Sequence, residues 1–369
     1  MNVDFSEYFK APLDYNPPKD TELNGSTQFP NLNSVEFRNR QNDNETTLLP
    51  FYELVEANDD QSTVLLATNS YNQRLWNGSV FGYDCLSDVG KPNADRIKLS
   101  FDSNVTGIRF LDKSMVVFTN ANGSIFLYST QSEIRQKDGY SLFQVSKKTE
   151  HYGMITGLTI LNGAKSAVTV SSDGCIKVWL LAPCDIVSDQ TYQYAHKEVI
   201  TGISKQPKSS DIFATCSRDR FLSIWDIRIR LPMINSWKNE DYANTSCLWA
   251  NVNGIEKLYV GDDTGTVHIY DPRKLDTSVA SQTLFDRPIF KFSQNPSENL
   301  VCVLSQSNKL KVLNTASDTN TFATVYEDYS SKDYVRDVCW VKGDKQQAQQ
   351  SACYTVGWSK TIGHHTIEP

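Results

Sequence analysis

The chain of 369 residues carries 36 basic and 43 acidic side chains, a net charge of −7, and 39% hydrophobic residues. Nowhere do basic residues gather into a track for a phosphate backbone, which excludes nucleic acid as a partner at this level of reading. No apolar run reaches the length of a membrane span, and the eight cysteines show no CxxC pairing, so the expectation is reduced thiols in a cytoplasmic or nuclear protein.

Residues 1–30 hold Pro12, Pro17, Pro18 and Pro30 among polar residues with little alternation. They are expected to form an N-terminal arm, partly disordered, with Phe5, Tyr8 and Phe9 as an aromatic patch that a neighbour would cover. Ser34–Arg38 alternates as a strand does. Beyond it an alternating β pattern breaks at a tight turn and resumes seven times. The turn anchors are Asn77, Asn122, Asp173, Asp219, Thr264, Ser307 and Ser359, at separations of 45, 51, 46, 45, 43 and 52 residues. Six positions after the anchors stand Tyr83, Tyr128, Trp179, Trp225, Tyr270, Leu313 and His365, and Trp225-Asp226 is an intact WD dipeptide. A sevenfold array near a ~40–45 residue period reads as an all-β, seven-bladed WD-repeat propeller over residues 31–369.

Each repeat is expected to supply four strands. In the third these are Ile155–Leu161, Ala167–Ser171, Cys175–Leu181 and Thr191–Tyr194, with the turn at Asp173-Gly174. The seventh repeat runs out of chain after Ile367, so Ser34–Arg38 is expected to supply its outer strand and close the ring. Asn77-Gly78 and Asn122-Gly123 are read as turns that need the positive φ of their glycine.

Two neighbouring repeats hold a full polar set: His151, Ser171, Asp173 and Trp179, then His196, Ser217, Asp219 and Trp225. Such residues suggest a hydrolase triad. Repetition in adjacent blades argues for a structural chain instead, running from indole N–H to serine hydroxyl to imidazole to carboxylate. No catalysis is expected. His364 and His365 are adjacent on a strand and point to opposite faces, so they do not share a metal ion, and neither metal nor cofactor is expected.

Trp225-Asp226-Ile227-Arg228, echoed by Tyr270-Asp271-Pro272-Arg273, resembles the adaptor-docking box of substrate receptors in cullin-RING ubiquitin ligases. The residues before the anchors tell more. Strand alternation sends them outward onto one rim, where they read Trp76, Ala121, Ser172, Arg218, Asp263, Gln306 and Trp358. Trp76 and Trp358 fall in blades 1 and 7, neighbours once the ring closes. Two adjacent exposed indoles suit a partner site, so Trp76, Trp358, Arg74, Asn77 and Arg218 are the candidate partner-binding residues.

Over about residues 50–369 the chain resembles the methylosome protein 50 family, the propeller subunits that accompany the type II protein arginine methyltransferase. The resemblance is carried by Arg74-Leu-Trp76-Asn-Gly-Ser79, Tyr334-Val-Arg-Asp337, Thr355-Val-Gly-Trp358 and His364-His365. It implies a non-catalytic adaptor that docks on the N-terminal barrel of the methyltransferase through Trp76. It further implies a hetero-octamer of four enzymes and four propellers, and the presentation of Arg/Gly-rich substrates such as Sm proteins and histone tails. The chain departs from the family pattern at Ser359, where an Asp is expected, and in blades that lack the WD dipeptide.

Overall fold

A computed structural model of the chain describes residues 51–367, apart from 73–74, 92, 130–141, 297–298, 316–322 and 342–350. Blade 1 comprises β1 (Phe51–Ala57), β2 (Val64–Asn72), β3 (Leu75–Tyr83) and β4 (Ile97–Phe101), and blade 2 comprises β5 (Val105–Phe110), β6 (Met115–Asn120), β7 (Ser124–Ser129) and β8 (Phe143–Thr149). Blade 3 follows with β9 (Ile155–Leu161), β10 (Ser166–Ser171), β11 (Ile176–Ala182) and β12 (Asp185–Tyr192), and blade 4 with β13 (Ile200–Lys205), β14 (Ile212–Ser217), β15 (Phe221–Asp226) and β16 (Met233–Lys238). Blade 5 is β17 (Asn244–Val252), β18 (Ile255–Asp262), β19 (Thr266–Tyr270) and β20 (Ala280–Thr283). Blade 6 is β21 (Ile289–Gln294), β22 (Leu300–Ser305), β23 (Leu310–Asn314) and β24 (Ala323–Asp328), and blade 7 is β25 (Val335–Trp340), β26 (Ser351–Gly357) and β27 (Ile362–Ile367). Every sheet is an antiparallel meander in chain order, so the protein is the seven-bladed propeller that the repeat predicts.

Strand alternation divides the core into seven layers, one per gap between blades. Along β2, Val64 and Leu66 pack toward blade 7 while Leu65 and Ala67 pack toward blade 2. Along β22, Val301 and Val303 face blade 5 while Leu300, Cys302 and Leu304 face blade 7. The middle strands are therefore apolar on both faces, as in the fully buried β10. Outer strands such as β16 and β20 contain no buried residue. The gap between the last blade and the first is filled like the rest, by Val55, Val64, Leu66, Tyr83 and Val356.

Three expectations are corrected or bounded here. Asn77 is not a turn residue: it lies inside β3 opposite Ser70, and the ladder runs on to Asn72 opposite Leu75 before the chain reverses. The continuous β pattern over 64–83 won over the Asn-Gly signal. Gly78 has no positive φ; it is required because a Cβ there would stand 2.5 Å from the Ser103 carbonyl oxygen. Gly123, by contrast, does take the left-handed conformation, with φ 76°. The outer strand of blade 3 is β12, Asp185–Tyr192, rather than Thr191–Tyr194, because the hairpin from β11 closes as early as Ala182 opposite Asp185. The arm at 1–30 and the closing strand at Ser34–Arg38 lie outside the described residues.

One regularity escaped the sequence. The innermost strand of every blade carries a register shift near its start, which leaves one residue unpaired: Glu53, Thr106, Thr156, Thr201, Thr245, Phe290 and Arg336. Such bulges re-aim a side chain. Thr156 and Thr201 use theirs to bond the innermost strand of the next blade, at the Ile200 carbonyl (2.5 Å) and the Asn244 carbonyl (2.9 Å). In blades 6, 7 and 1 the same place is taken by Phe290, Arg336 and Glu53.

Candidate docking site

The polar sets of blades 3 and 4 prove to be buried and tied together, but through a different hydroxyl from the one expected. The Trp179 indole donates to Thr169 Oγ1 at 2.8 Å, and Thr169 Oγ1 lies 2.8 Å from His151 Nε2, while His151 Nδ1 meets Asp173 at 3.2 Å. Blade 4 repeats this with Trp225, Thr215, His196 and Asp219, at 2.8, 2.8 and 3.1 Å. Ser171 and Ser217 instead accept the amides of Asp173 and Asp219, at 3.2 and 3.1 Å, and so hold the turn. The correction has a simple cause: the tryptophans pair across the hairpin with Ala167 and Phe213, so the diagonal neighbour two positions on is Thr169 or Thr215, and the serine lies two positions further, out of the indole's reach. Blade 7 follows the same plan with Thr355, His365 and Tyr326, where His365 Nε2 lies 2.8 Å from Thr355 Oγ1 and Nδ1 lies 3.0 Å from the Tyr326 hydroxyl. His364 is exposed against Tyr354 on the other face of β27 while His365 is buried, as alternation requires.

Burial lowers the pKa of His151 despite the pull of Asp173, and burial lowers that of His365. Burial would by itself raise the Asp219 carboxyl, yet the His196 hydrogen bond and the amides of Lys197 and Phe221 bring it down to about 2. With a neutral imidazole, Nδ1–H donates to the aspartate and Nε2 accepts from the threonine, so the indole, hydroxyl and imidazole of each Trp–Thr–His–Asp set are all paired. No nucleophile is exposed by this arrangement. Among the described residues no group of His, Cys, Asp and Glu is placed to hold a metal ion.

The WD-x-R box and its Tyr270-Asp271-Pro272-Arg273 echo fold back on themselves. Arg228 donates to its own Asp226 at 2.9 and 2.6 Å, and Arg273 to its own Asp271 at 2.9 and 2.6 Å. Both guanidinium groups are thereby used in holding the turn that follows the strand.

The rim at blades 7 and 1 is different. Trp76, on the extended β2–β3 hairpin, is 43% exposed, and its ring lies 6.5 Å from that of Phe51. Phe51 in turn lies 5.7 Å from Trp358, and Trp358 meets Tyr334 edge-on at 5.2 Å. The expected pair of exposed indoles is thus corrected to an exposed Trp76 and a half-buried Trp358, whose Nε1 donates to Glu53 Oε2 at 2.9 Å. Glu53 also receives Arg336 Nε at 2.9 Å, and the Arg336 guanidinium is stacked 3.9 Å over Phe290 and 5.2 Å from the Trp358 ring. Lys360 stands 5.1 Å over Phe51. The result is an aromatic strip with a cationic border, spanning the seam between the last blade and the first.

Of the candidate residues, Trp76 and Trp358 come together through Phe51. Asn77 is partly buried in β3 beside them, and Arg74 lies outside the described residues. Arg218 is exposed at the end of β14, three blades away, so it does not join this strip. Sequence reading missed Phe51, Glu53 and Arg336. The bulges that turn Glu53 and Arg336 into place have no residue signature, although Arg336 sits inside the Tyr334–Asp337 motif already singled out.

Comparison with known proteins agrees with the fold. The WD domain, G-beta repeat family matches residues 188–226, which end on the intact Trp225-Asp226. The Drosophila melanogaster protein valois is 26% identical over 383 aligned residues, covering 98% of this chain and 98% of its own. The Xenopus laevis methylosome protein WDR77 is 24% identical over 310 residues, covering 82% and 86%. Among solved structures, Chaetomium thermophilum Sqt1 bound to the N-terminus of ribosomal protein L10 superposes with a TM-score of 0.65 at 15% identity, covering 87% of this chain and 88% of that one. That likeness speaks to the fold alone.

Proposed function

We propose, from the premise that this chain belongs to the methylosome protein 50 family of WD-repeat propellers, that it is a non-catalytic adaptor of a symmetric-dimethylating arginine methyltransferase. The observation that carries the reading is Trp76, a large indole left exposed on a hairpin that projects past the usual turn and backed by Phe51 and Trp358. A rigid, aromatic anchor that gains by being desolvated is the usual centre of a protein interface. Phe51 restricts the ring before binding, which lowers the ordering cost on association. Lys360, which stands over Phe51, suits an acidic group on the partner.

In this reading the propeller helps present Arg/Gly-rich substrates, Sm proteins and histone tails among them, and its net negative charge favours such tails. The assembly is a hetero-octamer of four enzymes and four propellers, working in the cytoplasm or nucleus. The test is to mix the purified full chain with a type II methyltransferase and measure the mass of the complex by light scattering. A four-plus-four mass supports the proposal, and two separate species of unchanged mass would refute it.

A further inference from the structure

Away from this strip, the outer edge of blade 4 shows an anomaly of its own. Between 229 and 237, Ile229, Leu231, Met233, Ile234 and Trp237 are exposed, at 44, 80, 51, 48 and 39%. The last three lie on β16, the edge of its sheet. Exposed edges are normally protected by charge or shortness. The other described outer strands obey this rule: β4 carries Lys98, β8 carries Lys147 and Lys148, β12 carries Asp185 and Asp189, β24 carries Glu327 and Asp328, and β20 is only four residues long. β16 reads Met-Ile-Asn-Ser-Trp-Lys and has no charge before its last residue.

Its backbone is oriented to pair again. The Asn239 amide donates to the Arg220 carbonyl at 3.0 Å, which sets the phase of the antiparallel ladder. Bonded and unbonded pairs then alternate, so Trp237 bonds inward opposite Leu222 while Ser236 and Lys238, opposite Ser223 and Phe221, direct their amides and carbonyls outward. Charge indicates what would pair there. From Ile227 to Asn239 the chain holds Arg228, Arg230 and Lys238 and no acidic residue, in a protein whose total is −7. Arg228 is held by Asp226 and Lys238 lies near Glu240, but exposed Arg230 makes no ion pair among the described residues.

We infer that β16 is a strand-addition site for an extended partner segment in which apolar residues alternate with acidic ones. Main-chain bonds to Ser236 and Lys238 supply affinity, Met233, Ile234 and Trp237 take the apolar side chains, and Arg230 selects for acid. A second copy of the chain is disfavoured as the occupant because it would bring the same three cations to the edge. This inference stands independently of the proposed adaptor role.

The test uses the full chain and a fluorescein-labelled decapeptide of alternating valine and glutamate, with a valine and lysine counterpart, read by fluorescence anisotropy at low salt. Ser236→Pro removes an outward amide that no described strand uses, where an edge position admits proline, but it also removes the hydroxyl that meets the buried Ser223 Oγ at 2.8 Å, so its melting falls. Ile234→Lys removes an apolar contact and adds charge without touching the backbone. The glutamate peptide is expected to bind the wild type and to bind each variant about tenfold or more weakly, with the melting of Ile234→Lys unchanged. If Ser236→Pro unfolds, Ile234→Lys carries the comparison alone. Equal binding to wild type and variants, equal binding of the lysine peptide, or a wild-type dimer in sedimentation that Ile234→Lys dissociates would each overturn the assignment.

Discussion

Arg336 reaches Glu53 across 283 positions of sequence, and the two side chains clasp blade 7 to blade 1 at the mouth of the ring. Both are bulge residues, both are largely buried, and the Glu53 carboxylate accepts from Arg336 and from the Trp358 indole together. Glu53→Ala leaves a guanidinium and an indole N–H without their acceptor. It is expected to cost about 1–3 kcal/mol, read as a lower denaturant midpoint. Glu53→Gln keeps one acceptor oxygen and should cost less. Equal stability of all three proteins would show that the clasp is unimportant to closure.

The tryptophan networks give a second test. Thr169→Val keeps the shape of the side chain but removes the hydroxyl that Trp179 and His151 share, stranding two buried groups at about 1–3 kcal/mol. Ser171→Ala removes only a turn bond to the Asp173 amide, and about 1 kcal/mol or less is expected. Urea melts of the two variants check the ranking, and the reverse order would return the serine to the centre of the network.

Stability should also follow pH in a stated direction. Burial lowers the pKa of His151 and of His365 in the folded protein, so the unfolded chain binds more protons than the native one below the ordinary histidine value of about 6.5. Their contribution is complete above that pH and is lost as pH falls through it. Asp219, at about 2 in the folded state, contributes above the ordinary carboxylate value of about 3.9 and loses that contribution as pH falls below it. Thermal melts from pH 8 downward should be flat at first, then decline from about pH 6.5 and decline again below about pH 4. A midpoint that rose between pH 7 and 5.5 would contradict the first step.

Gly78 offers a local check on the corrected blade 1 hairpin. If Gly78 were a turn glycine, Gly78→Ala would act through φ; in the structure it is instead opposed by the Ser103 carbonyl and the Val105 backbone. Gly78→Ala should destabilise by about 1–3 kcal/mol, the range for overpacking. The double change with Val105→Ala should not recover it, since the closest opposing atom is the Ser103 backbone carbonyl oxygen. Recovery by that second change would move the clash to the Val105 side chain.

How much of this was readable in the residues depended on whether the signal was local. Turn glycines such as Gly174 and Gly123, the periodic Trp179 and Trp225, and the buried runs of β10 and β14 sit within one repeat, so blade number and order were legible. The bridging hydroxyls were not, because choosing Thr169 over Ser171 depends on cross-strand register with Trp179 rather than on spacing along the chain. The docking strip was half legible. Trp76 stood out by type and place, but Phe51, Glu53 and Arg336 meet only when the first strand closes against the last, an event with no local pattern.

The most direct measurement is the affinity of the full chain for a type II arginine methyltransferase by calorimetry, wild type against Trp76→Ala, with melting followed in parallel. Loss of an anchor of this kind costs about 2 kcal/mol or more, roughly thirtyfold in affinity. Because Trp76 is 43% exposed on a projecting hairpin, melting should change little. Affinity reduced by that factor at unchanged melting is the predicted result, and unchanged affinity would contradict the account.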